Sequence, residues 1–123
     1  MFTLQKSYTF CAGHTLTRHD RMCQFPHGHT YTLTVILRTE ELIASGPKTN
    51  MVTDFYDISA VVKPMITQYF DHKWLNETLQ SESPTIEFAA RWVYNYLHPR
   101  LSHLHAISLG ESPTSSVTYC PSS

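Results

Sequence analysis

The residues in this chain best suited to chemistry are one thiol and two closely spaced imidazoles, contributed by Cys23, His27 and His29. From His27 onward, apolar and polar side chains alternate through residues 27–38, a pattern typical of a half-buried β-strand. Side chains two positions apart on a strand point to the same face, so His27 and His29 project together. Because one divalent ion can satisfy two imidazoles on a largely apolar face, the pattern predicts a zinc site.

A third zinc ligand is expected from a neighbouring strand end, because a catalytic zinc ion keeps three protein ligands and leaves its fourth position open. His14 follows a first predicted strand at residues 2–12. Antiparallel pairing of that strand with residues 27–38 would bring His14 close to His27. His19, in the polar connection between the two strands, is the reserve candidate.

Cys23 has two interpretations that its spacing does not separate. As a fourth zinc ligand it would close the site and make it structural, whereas as a free thiolate it would act as a nucleophile or base. The other two cysteines, Cys11 and Cys120, are expected to be ordinary buried thiols. The N-terminus lacks the pattern of a signal peptide, so the expected compartment is the cytosol, where thiols stay reduced.

Two further groups could take part in proton transfer or binding. Asp71 and His72 follow the end of a helical pattern, and a carboxylate that orients an imidazole is the arrangement of a proton relay. Glu111 follows an apolar run, and on composition alone it is interpreted as an exposed turn residue.

The rest of the chain predicts two helices and a C-terminal hairpin. Apolar residues spaced by three and four indicate a helix over residues 58–70, which must either kink at Pro64 or begin close to it. A second helix is predicted over residues 84–97, with Pro84 at its first position after a capping serine. The hairpin strands are predicted at residues 104–110 and 115–119.

This order of elements predicts one α+β domain over residues 1–123, a four-stranded antiparallel sheet with two helices on one face. The other face and the sheet edges need cover, which assembly of several copies into a ring would supply. A net charge of -1 without a Lys or Arg run argues against nucleic-acid binding. No apolar run approaches the roughly 20 residues of a membrane span.

A series of short motifs resembles those of the 6-pyruvoyltetrahydropterin synthase and 6-carboxytetrahydropterin synthase family, from about Tyr8 to Tyr119. In chain order they are His14, Cys23-x-x-x-His27-Gly28-His29, Asp54-Phe55, Asp71-His72 with Leu75-Asn76, Pro84-Thr85-x-Glu87 and Glu111-Ser112. The short spacing from Cys23 to His27 and the compact length are more similar to the bacterial carboxytetrahydropterin synthases of queuosine (7-deazaguanine) biosynthesis than to the animal biopterin enzymes.

The resemblance implies a fold and a reaction. The fold is the tunnelling fold, or T-fold, in which three subunits close an oligomeric barrel and two trimers stack into a homohexamer. The reaction converts 7,8-dihydroneopterin triphosphate to 6-carboxy-5,6,7,8-tetrahydropterin, acetaldehyde and triphosphate, with Zn²⁺ as cofactor. The alternatives are a 6-pyruvoyltetrahydropterin product or, on the interpretation of Cys23 as a fourth ligand, a non-catalytic zinc-stabilised oligomer.

The resemblance also implies roles for individual residues, and it overturns the composition-based interpretation of Glu111. The implied zinc ligands are His14, His27 and His29. The implied proton-transfer set is Cys23, Asp71 and His72. The implied pterin contacts are Glu111, which anchors the ring, and Thr85, which lines its pocket. By charge, the candidates for meeting the triphosphate are Arg18, Arg21 and Lys6.

Overall fold

The structure, a computed structural model, describes residues 1–17 and 26–122. In chain order the elements are β1 (Phe2–His14), β2 (His27–Thr39), α1 (Phe55–Tyr69), α2 (Leu75–Thr78), α3 (Ile86–Leu97), β3 (Leu104–Ser112) and β4 (Ser115–Tyr119). The predicted order of strands and helices is confirmed. Within the described residues the structure adds the short helix α2, whose four residues are too few to produce a recognisable hydrophobic period.

The described strands form one antiparallel sheet in the order β1-β2-β3-β4. The register between β1 and β2 pairs His14 with His27 and Ala12 with His29. Because neighbouring strands lie about 4.8 Å apart, this pairing brings His14 beside His27, as the antiparallel arrangement predicted. Both histidines lie at the end of the sheet where β1 passes into its connection to β2.

One face of the sheet packs against the helices and forms the core. Alternate residues of β2 are buried on this face, namely Tyr31, Leu33, Val35 and Leu37. The same cluster includes Ile58, Val62 and Met65 of α1 and Ala90, Val93 and Leu97 of α3. Burying each such aliphatic side chain stabilises the fold by about 1.5–3 kcal/mol. The opposite face carries small and hydroxyl-bearing side chains that are exposed, among them Thr9, Cys11, Thr30 and Thr32.

Both long helices begin at a side-chain cap that the sequence interpretation missed. The carboxylate of Asp54 accepts a hydrogen bond from the Tyr56 amide at the start of α1. The hydroxyl of Thr85 accepts one from the Phe88 amide at the start of α3. The prediction of Pro84 as the first helical residue is therefore wrong, because Pro84 precedes the cap.

Helix α1 begins well before its internal proline. The helix runs from Phe55 through Pro64 to Tyr69, so the alternative in which it begins close to Pro64 is wrong. Its buried face continues across the proline from Ile58 to Ile66, and that apolar packing compensates for the amide hydrogen bond that proline lacks. No helix among residues 1–17 and 26–122 combines the length and the hydropathy needed to cross a lipid bilayer.

The turn after α1, residues 71–74, lies along the outer edge of β1. The His72 amide donates to the Cys11 carbonyl over 2.6 Å, and the Gly13 amide donates to the Lys73 carbonyl over 3.1 Å. Gly13 and Trp74 also form a parallel bridge. These bonds cover part of a strand edge that would otherwise be unpaired, and they hold Asp71 and His72 at a defined place beside β1.

Candidate active site

Three imidazole nitrogens converge at the end of β1 and β2. Nε2 of His14 lies 2.8 Å from Nε2 of His27 and 3.2 Å from Nε2 of His29. The metal-binding atoms of the three residues all lie within 4.8 Å of one another. His27 and His29 occupy alternate positions of β2, and His14 lies on the paired strand. The structure therefore brings together the three predicted metal ligands, which we call the histidine cluster.

His14 is the most buried member of the histidine cluster, with no exposed surface. Its Nδ1 lies 2.9 Å from the carbonyl oxygen of Pro84. Since a carbonyl only accepts, Nδ1 carries the proton, and the lone pair of Nε2 faces the other two rings. Burial lowers the pKa of His14, an effect that the bond to Pro84 opposes. The neutral form, which is the form that binds a metal, is thereby favoured.

The histidine cluster fits a divalent transition-metal ion. In a tetrahedral zinc site the ligand nitrogens are about 3.3 Å apart, since each lies about 2.0–2.1 Å from the ion. The separations of 2.8 and 3.2 Å from Nε2 of His14 to Nε2 of His27 and of His29 are close to this value, and the remaining pair of ligand atoms lies within 4.8 Å. The carbonyl of Pro84 behind His14 supplies the acceptor that orients a metal-binding imidazole. His14, His27 and His29 can therefore hold a metal and leave a fourth coordination position for another ligand.

Glu111 lies beside the histidine cluster. Its Oε2 is 3.1 Å from Nε2 of His29, and the two side chains are 26% and 23% exposed, respectively. The residue belongs to β3, so its interpretation as an exposed turn residue is wrong. The error has a physical cause, because the neighbouring strand β2 supplies the contact and nothing near Glu111 in the sequence signals it.

Tyr31 lies behind the histidine cluster and was not predicted as a site residue. Its hydroxyl is 3.5 Å from Nδ1 of His14, and its side chain is almost completely buried. Burial and, to a smaller extent, the negative charge of Glu111 raise the pKa of Tyr31. The phenol therefore stays neutral over a wide pH range. The available signal was the strand period, because Tyr31 is the next residue after His29 on the same face of β2.

Asp71 and His72 form the contact expected of a relay. Nδ1 of His72 lies 3.0 Å from Oδ1 of Asp71, which also accepts a hydrogen bond from the Cys11 amide over 3.3 Å. His72 has a φ of 59°, in the left-handed region that non-glycine residues seldom adopt. Such backbone strain persists only where surrounding bonds enforce it, and it is common at functional sites. The imidazole side chain is 81% exposed.

His72 faces a cavity of about 620 Å³ on the open side of the sheet, away from the core. The lining includes Cys11 and Thr30 of the exposed face, together with Lys73, Trp74 and His29. We call it the β1-edge cavity. It adjoins the histidine cluster through His29, yet the contacts described for Asp71 and His72 do not reach that cluster within one chain.

Thr85 follows Pro84, and the carbonyl of Pro84 contacts His14 of the histidine cluster. Its hydroxyl is engaged as the N-cap of α3. It also lines a smaller cavity of about 350 Å³ that includes Glu87 and Arg91. A role in the pterin pocket stays a prediction.

Several sequence-predicted residues fall outside the residues that the structure describes, namely Cys23, His19, Arg18 and Arg21. Lys6 is described, and its ammonium lies 6.0 Å from the centre of the Phe55 ring. On β1 it precedes His14 by eight positions, roughly 26 Å along an extended strand. Lys6 is therefore remote from the histidine cluster of its own chain.

The prediction that Cys11 and Cys120 are buried thiols is wrong, because both side chains are exposed. Cys11 occupies an alternate position of β1 that points to the open face of the sheet, between buried Phe10 and Ala12. Cys120 follows the end of β4, with its sulfur 3.9 Å from Nε2 of His105. Cysteine is among the residue types most often buried, but Cys11 alternates with Phe10 and Ala12 and therefore points away from the core.

Known proteins similar to this chain point to one family. The sequence model of the 6-pyruvoyl tetrahydropterin synthase family matches residues 3–122. A protein of Synechocystis named 6-carboxy-5,6,7,8-tetrahydropterin synthase is 33% identical over 120 residues, covering 97% of this chain and 93% of its own. A protein of the same name from Haemophilus influenzae is 34% identical over 140 residues, covering 97% and 99%.

A solved structure supports the assignment of the fold. The 6-pyruvoyl tetrahydropterin synthase of Caenorhabditis elegans superposes with a TM-score of 0.82 at 24% identity, covering 98% of this chain and 96% of that one. The expected fold, a four-stranded antiparallel sheet with helices on one face, is thus confirmed by both topology and superposition.

Proposed function

Because the chain belongs to the 6-pyruvoyl tetrahydropterin synthase family, we propose that it is a zinc-dependent 6-carboxy-5,6,7,8-tetrahydropterin synthase of queuosine biosynthesis. In the proposed reaction, 7,8-dihydroneopterin triphosphate and water give 6-carboxy-5,6,7,8-tetrahydropterin, acetaldehyde and triphosphate. The observation that carries the proposal is the convergence of three Nε2 atoms in the histidine cluster with the Glu111 carboxylate beside them. The names of the curated relatives favour the carboxy product over the pyruvoyl product.

The histidine cluster would hold the zinc ion through the Nε2 atoms of His14, His27 and His29. When bound, zinc supplies a positive charge that polarises substrate hydroxyl groups and lowers their pKa. His14 is fixed by its bond to Pro84, so this ligand is oriented before any metal or substrate arrives. Such preorganisation reduces the cost of reorganisation during the reaction.

Glu111 would anchor the pterin ring. A carboxylate can accept two N–H donors from the aminopyrimidine edge of a pterin, and charge-assisted hydrogen bonds of this kind are stronger than neutral ones. Its partly buried position beside His29 limits competition from water. A molecule that lacks the donor edge would leave the carboxylate unpaired, so the anchor also gives selectivity.

His72 and Cys23 would transfer protons at the substrate side chain. Asp71 accepts the Nδ1 proton of His72, which leaves Nε2 to take a proton from the substrate or return one. Cys23, as a thiolate on the other side of the substrate, would accept the second proton. These roles rest on the resemblance for Cys23, and on resemblance and geometry for Asp71 and His72.

The proposal includes assembly into a homohexamer of two stacked trimers in the cytosol. Strand β4 ends the sheet on one side, and the face opposite the core lies uncovered in the single chain. Pairing between β4 of one copy and the β1 edge of the next would extend the sheet around a ring. Native mass spectrometry of the purified protein measures the subunit number directly, and a stable monomer would contradict this part of the proposal.

The experiment that tests the function is anaerobic incubation of the zinc-loaded protein with 7,8-dihydroneopterin triphosphate. We expect acetaldehyde and 6-carboxytetrahydropterin in equal amounts, measured by derivatisation and mass spectrometry. Triphosphate release with a pyruvoyl product would assign the protein to the other branch of the family. An absence of turnover at full zinc occupancy would refute an enzymatic role with this substrate.

Cys23→Ser separates the enzyme from the non-catalytic zinc-stabilised oligomer. If Cys23 is a proton-transfer residue, the variant keeps its zinc and its thermal stability but loses turnover. If Cys23 is a fourth zinc ligand, the variant loses zinc and unfolds at a lower temperature. Cys120→Ser is the matched control, because Cys120 is an exposed thiol beyond the end of β4 and should change neither property.

A further inference from the structure

The β1-edge cavity has properties that suit a polyphosphate. We infer that this cavity receives the triphosphate of the substrate and that Lys73 is the cation that binds it. The inference rests on the proposed function for the identity of the substrate. It differs from the sequence-based candidates, because Lys6 lies near Phe55 and not at this cavity.

No carboxylate is among the residues that line the β1-edge cavity, although Asp71 contacts two of them, Cys11 and His72. The cavity's polar and charged lining residues are Cys11, His29, Thr30, His72 and Lys73, and its remaining lining residues are small ones and Trp74. Three other cavities described in the chain each include an acidic residue, namely Glu87, Asp54 and Glu82. A like-charged carboxylate would repel a polyphosphate, so the β1-edge cavity is the best suited of the four to an anion.

Lys73 is placed at this cavity by backbone hydrogen bonds. Its amide donates to the Phe70 carbonyl over 3.1 Å, and its carbonyl accepts from the Gly13 amide over 3.1 Å. The backbone of Lys73 is therefore held next to β1, and only the side-chain rotamers must be ordered when an anion binds. A fixed backbone of this kind lowers the entropy cost of binding.

Lys73 forms no ion pair with the residues that the structure describes, unlike Lys48. Lys48 is paired with Asp57 and Asp54. Arg100 lies over the Tyr96 ring at 3.9 Å. A phosphate that binds Lys73 would not have to displace an existing carboxylate partner, so the full attraction is available to the ligand.

Two paired glycines leave room in the cavity. Gly13 of β1 lies opposite Gly28 of β2 in the sheet register, and both line the cavity. A Cβ at Gly13 would lie 3.1 Å from two ring carbons of Trp74, so the absence of a side chain there lets the indole lie flat against the strand. The resulting volume of about 620 Å³ is large enough for a triphosphate group.

The β1-edge cavity also borders residues that take part in the proposed reaction. His29 belongs both to the histidine cluster and to the lining of this cavity, and His72 faces the same space. Because His72 lines this cavity, a triphosphate bound at Lys73 would lie beside the proposed proton-transfer residue. Binding there would retain the leaving group and orient the side chain for proton transfer.

The first test measures binding of inorganic tripolyphosphate by calorimetry at low ionic strength, in a way that does not depend on turnover. We expect Lys73→Gln to bind about tenfold more weakly than the unmodified protein, because one charge-assisted contact is lost. Lys63→Gln is the matched control, since it removes the same charge from an exposed position of α1. Lys73→Arg keeps the charge and should bind tripolyphosphate as the unmodified protein does.

The second test measures KM for 7,8-dihydroneopterin triphosphate and, separately, the Kd of 7,8-dihydroneopterin, which has no triphosphate to release. Lys73→Gln should raise KM for the triphosphate about tenfold and raise the Kd of 7,8-dihydroneopterin much less, whereas Lys63→Gln should change neither. Equal tripolyphosphate binding by Lys73→Gln and Lys63→Gln, or no binding by the unmodified protein, would overturn the inference. If the proposed reaction itself fails, turnover is absent while the difference in tripolyphosphate binding persists.

Discussion

Oε2 of Glu111 lies 3.1 Å from Nε2 of His29, the same nitrogen that faces His14 in the histidine cluster. The proposed ring anchor and the proposed metal site therefore share one contact. A negative charge at this distance from the cluster attracts a cation, and it also attracts the N–H donors of a pterin. Substitutions that separate these two roles of the carboxylate test the proposed mechanism most directly.

Glu111→Gln should abolish most of the activity without removing the metal. The amide keeps one acceptor but presents an NH₂ group where the pterin offers a second donor. We expect kcat/KM to fall by about 10²–10³-fold, the cost of losing a charge-assisted pair of hydrogen bonds. Zinc content, measured by atomic spectroscopy, should stay at the level of the unmodified protein because three histidines remain.

Glu40→Gln is the control for the Glu111 variant, because it makes the same chemical change at a side chain that is 72% exposed. It should leave kcat/KM unchanged. A Glu111→Gln variant with normal kcat/KM would show that Glu111 does not anchor the substrate. Loss of zinc from that variant would show instead that its carboxylate is a metal ligand.

His72→Asn should lower kcat and leave metal binding intact. Asparagine tolerates the left-handed backbone that His72 adopts at a φ of 59°, so the variant removes the imidazole with little backbone strain. We expect kcat to fall by about 10²–10⁴-fold, the usual contribution of a general acid or base.

His103→Asn provides a matched comparison, since His103 is an exposed histidine with a similar φ of 66°. Its kcat, pH profile and zinc content should equal those of the unmodified protein. If both asparagine variants have the same kcat, the proton-transfer role of His72 is wrong. A fall in both kcat and thermal stability for His72→Asn alone would point to a structural role.

The sequence was most informative along β2, where successive side chains point alternately to the core and to solvent. The period through residues 27–38 located β2 and placed His27 and His29 on one face, because a strand with one buried face must alternate. Pairing with β1 then located His14. These parts of the site follow from local pattern and one antiparallel contact.

The sequence was least informative where a contact comes from a distant segment. Glu111 meets His29 only because β3 pairs with β2, and the cap at Thr85 depends on where α3 begins. Cys11 is exposed because the helices cover the other side of β1. The contact of Glu111 with His29 has no local period or turn signal, so only the resemblance suggested a role for Glu111.

Removing the metal should both inactivate and destabilise the protein. The site should hold about one zinc ion per chain. Treatment with a chelator should lower the melting temperature by about 10 °C, because a tightly bound ion stabilises the folded state by several kcal/mol. Differential scanning fluorimetry before and after adding zinc measures the effect.

His27→Gln should bind zinc at least about tenfold more weakly, since one of three ligands is lost. His98→Gln is the control, because His98 follows the end of α3 and stacks on Tyr94. Chelator-treated protein with full activity would contradict a catalytic metal. Unchanged zinc content in His27→Gln would contradict the assignment of the ligands.

The buried phenol of Tyr31 should make the protein sensitive to alkali. Burial raises the pKa of Tyr31 above its ordinary value of 10.0, and the charge of Glu111 adds to this effect. Above pH 10 the unfolded chain loses the phenolic proton while the folded protein keeps it. The free energy of unfolding should therefore decrease as the pH rises above about 10.

Tyr31→Phe removes this titration, so the decrease should be smaller in the variant when urea unfolding is followed between about pH 9 and pH 11. Part of the decrease should remain, because burial also raises the pKa of Tyr8. Identical pH dependence in the two proteins would show that Tyr31 is not the group responsible. Near neutral pH the variant should lose only the long contact with His14.

The pair of opposed glycines, Gly13 and Gly28, tests how β1 positions the segment that carries His72. A Cβ at Gly13 would lie 3.1 Å from two Trp74 ring carbons and 3.3 Å from the His27 carbonyl. The indole must then move, and residues 71–74 move with it. We expect Gly13→Ala to cost about 1–2 kcal/mol of stability, as overpacking usually does, and to shift the tryptophan fluorescence.

A Cβ at Gly28, in contrast, would come no closer than 3.4 Å to its nearest neighbour, the Ala12 carbonyl. Gly28→Ala should therefore change stability by less than about 0.5 kcal/mol, although Gly28 also adjoins two residues of the histidine cluster. If Trp74 transmits the strain to His72, Gly13→Ala lowers kcat while its zinc content stays normal. Equal stability and equal kcat for the two alanine variants would show that the packing of Trp74 on Gly13 does not position His72.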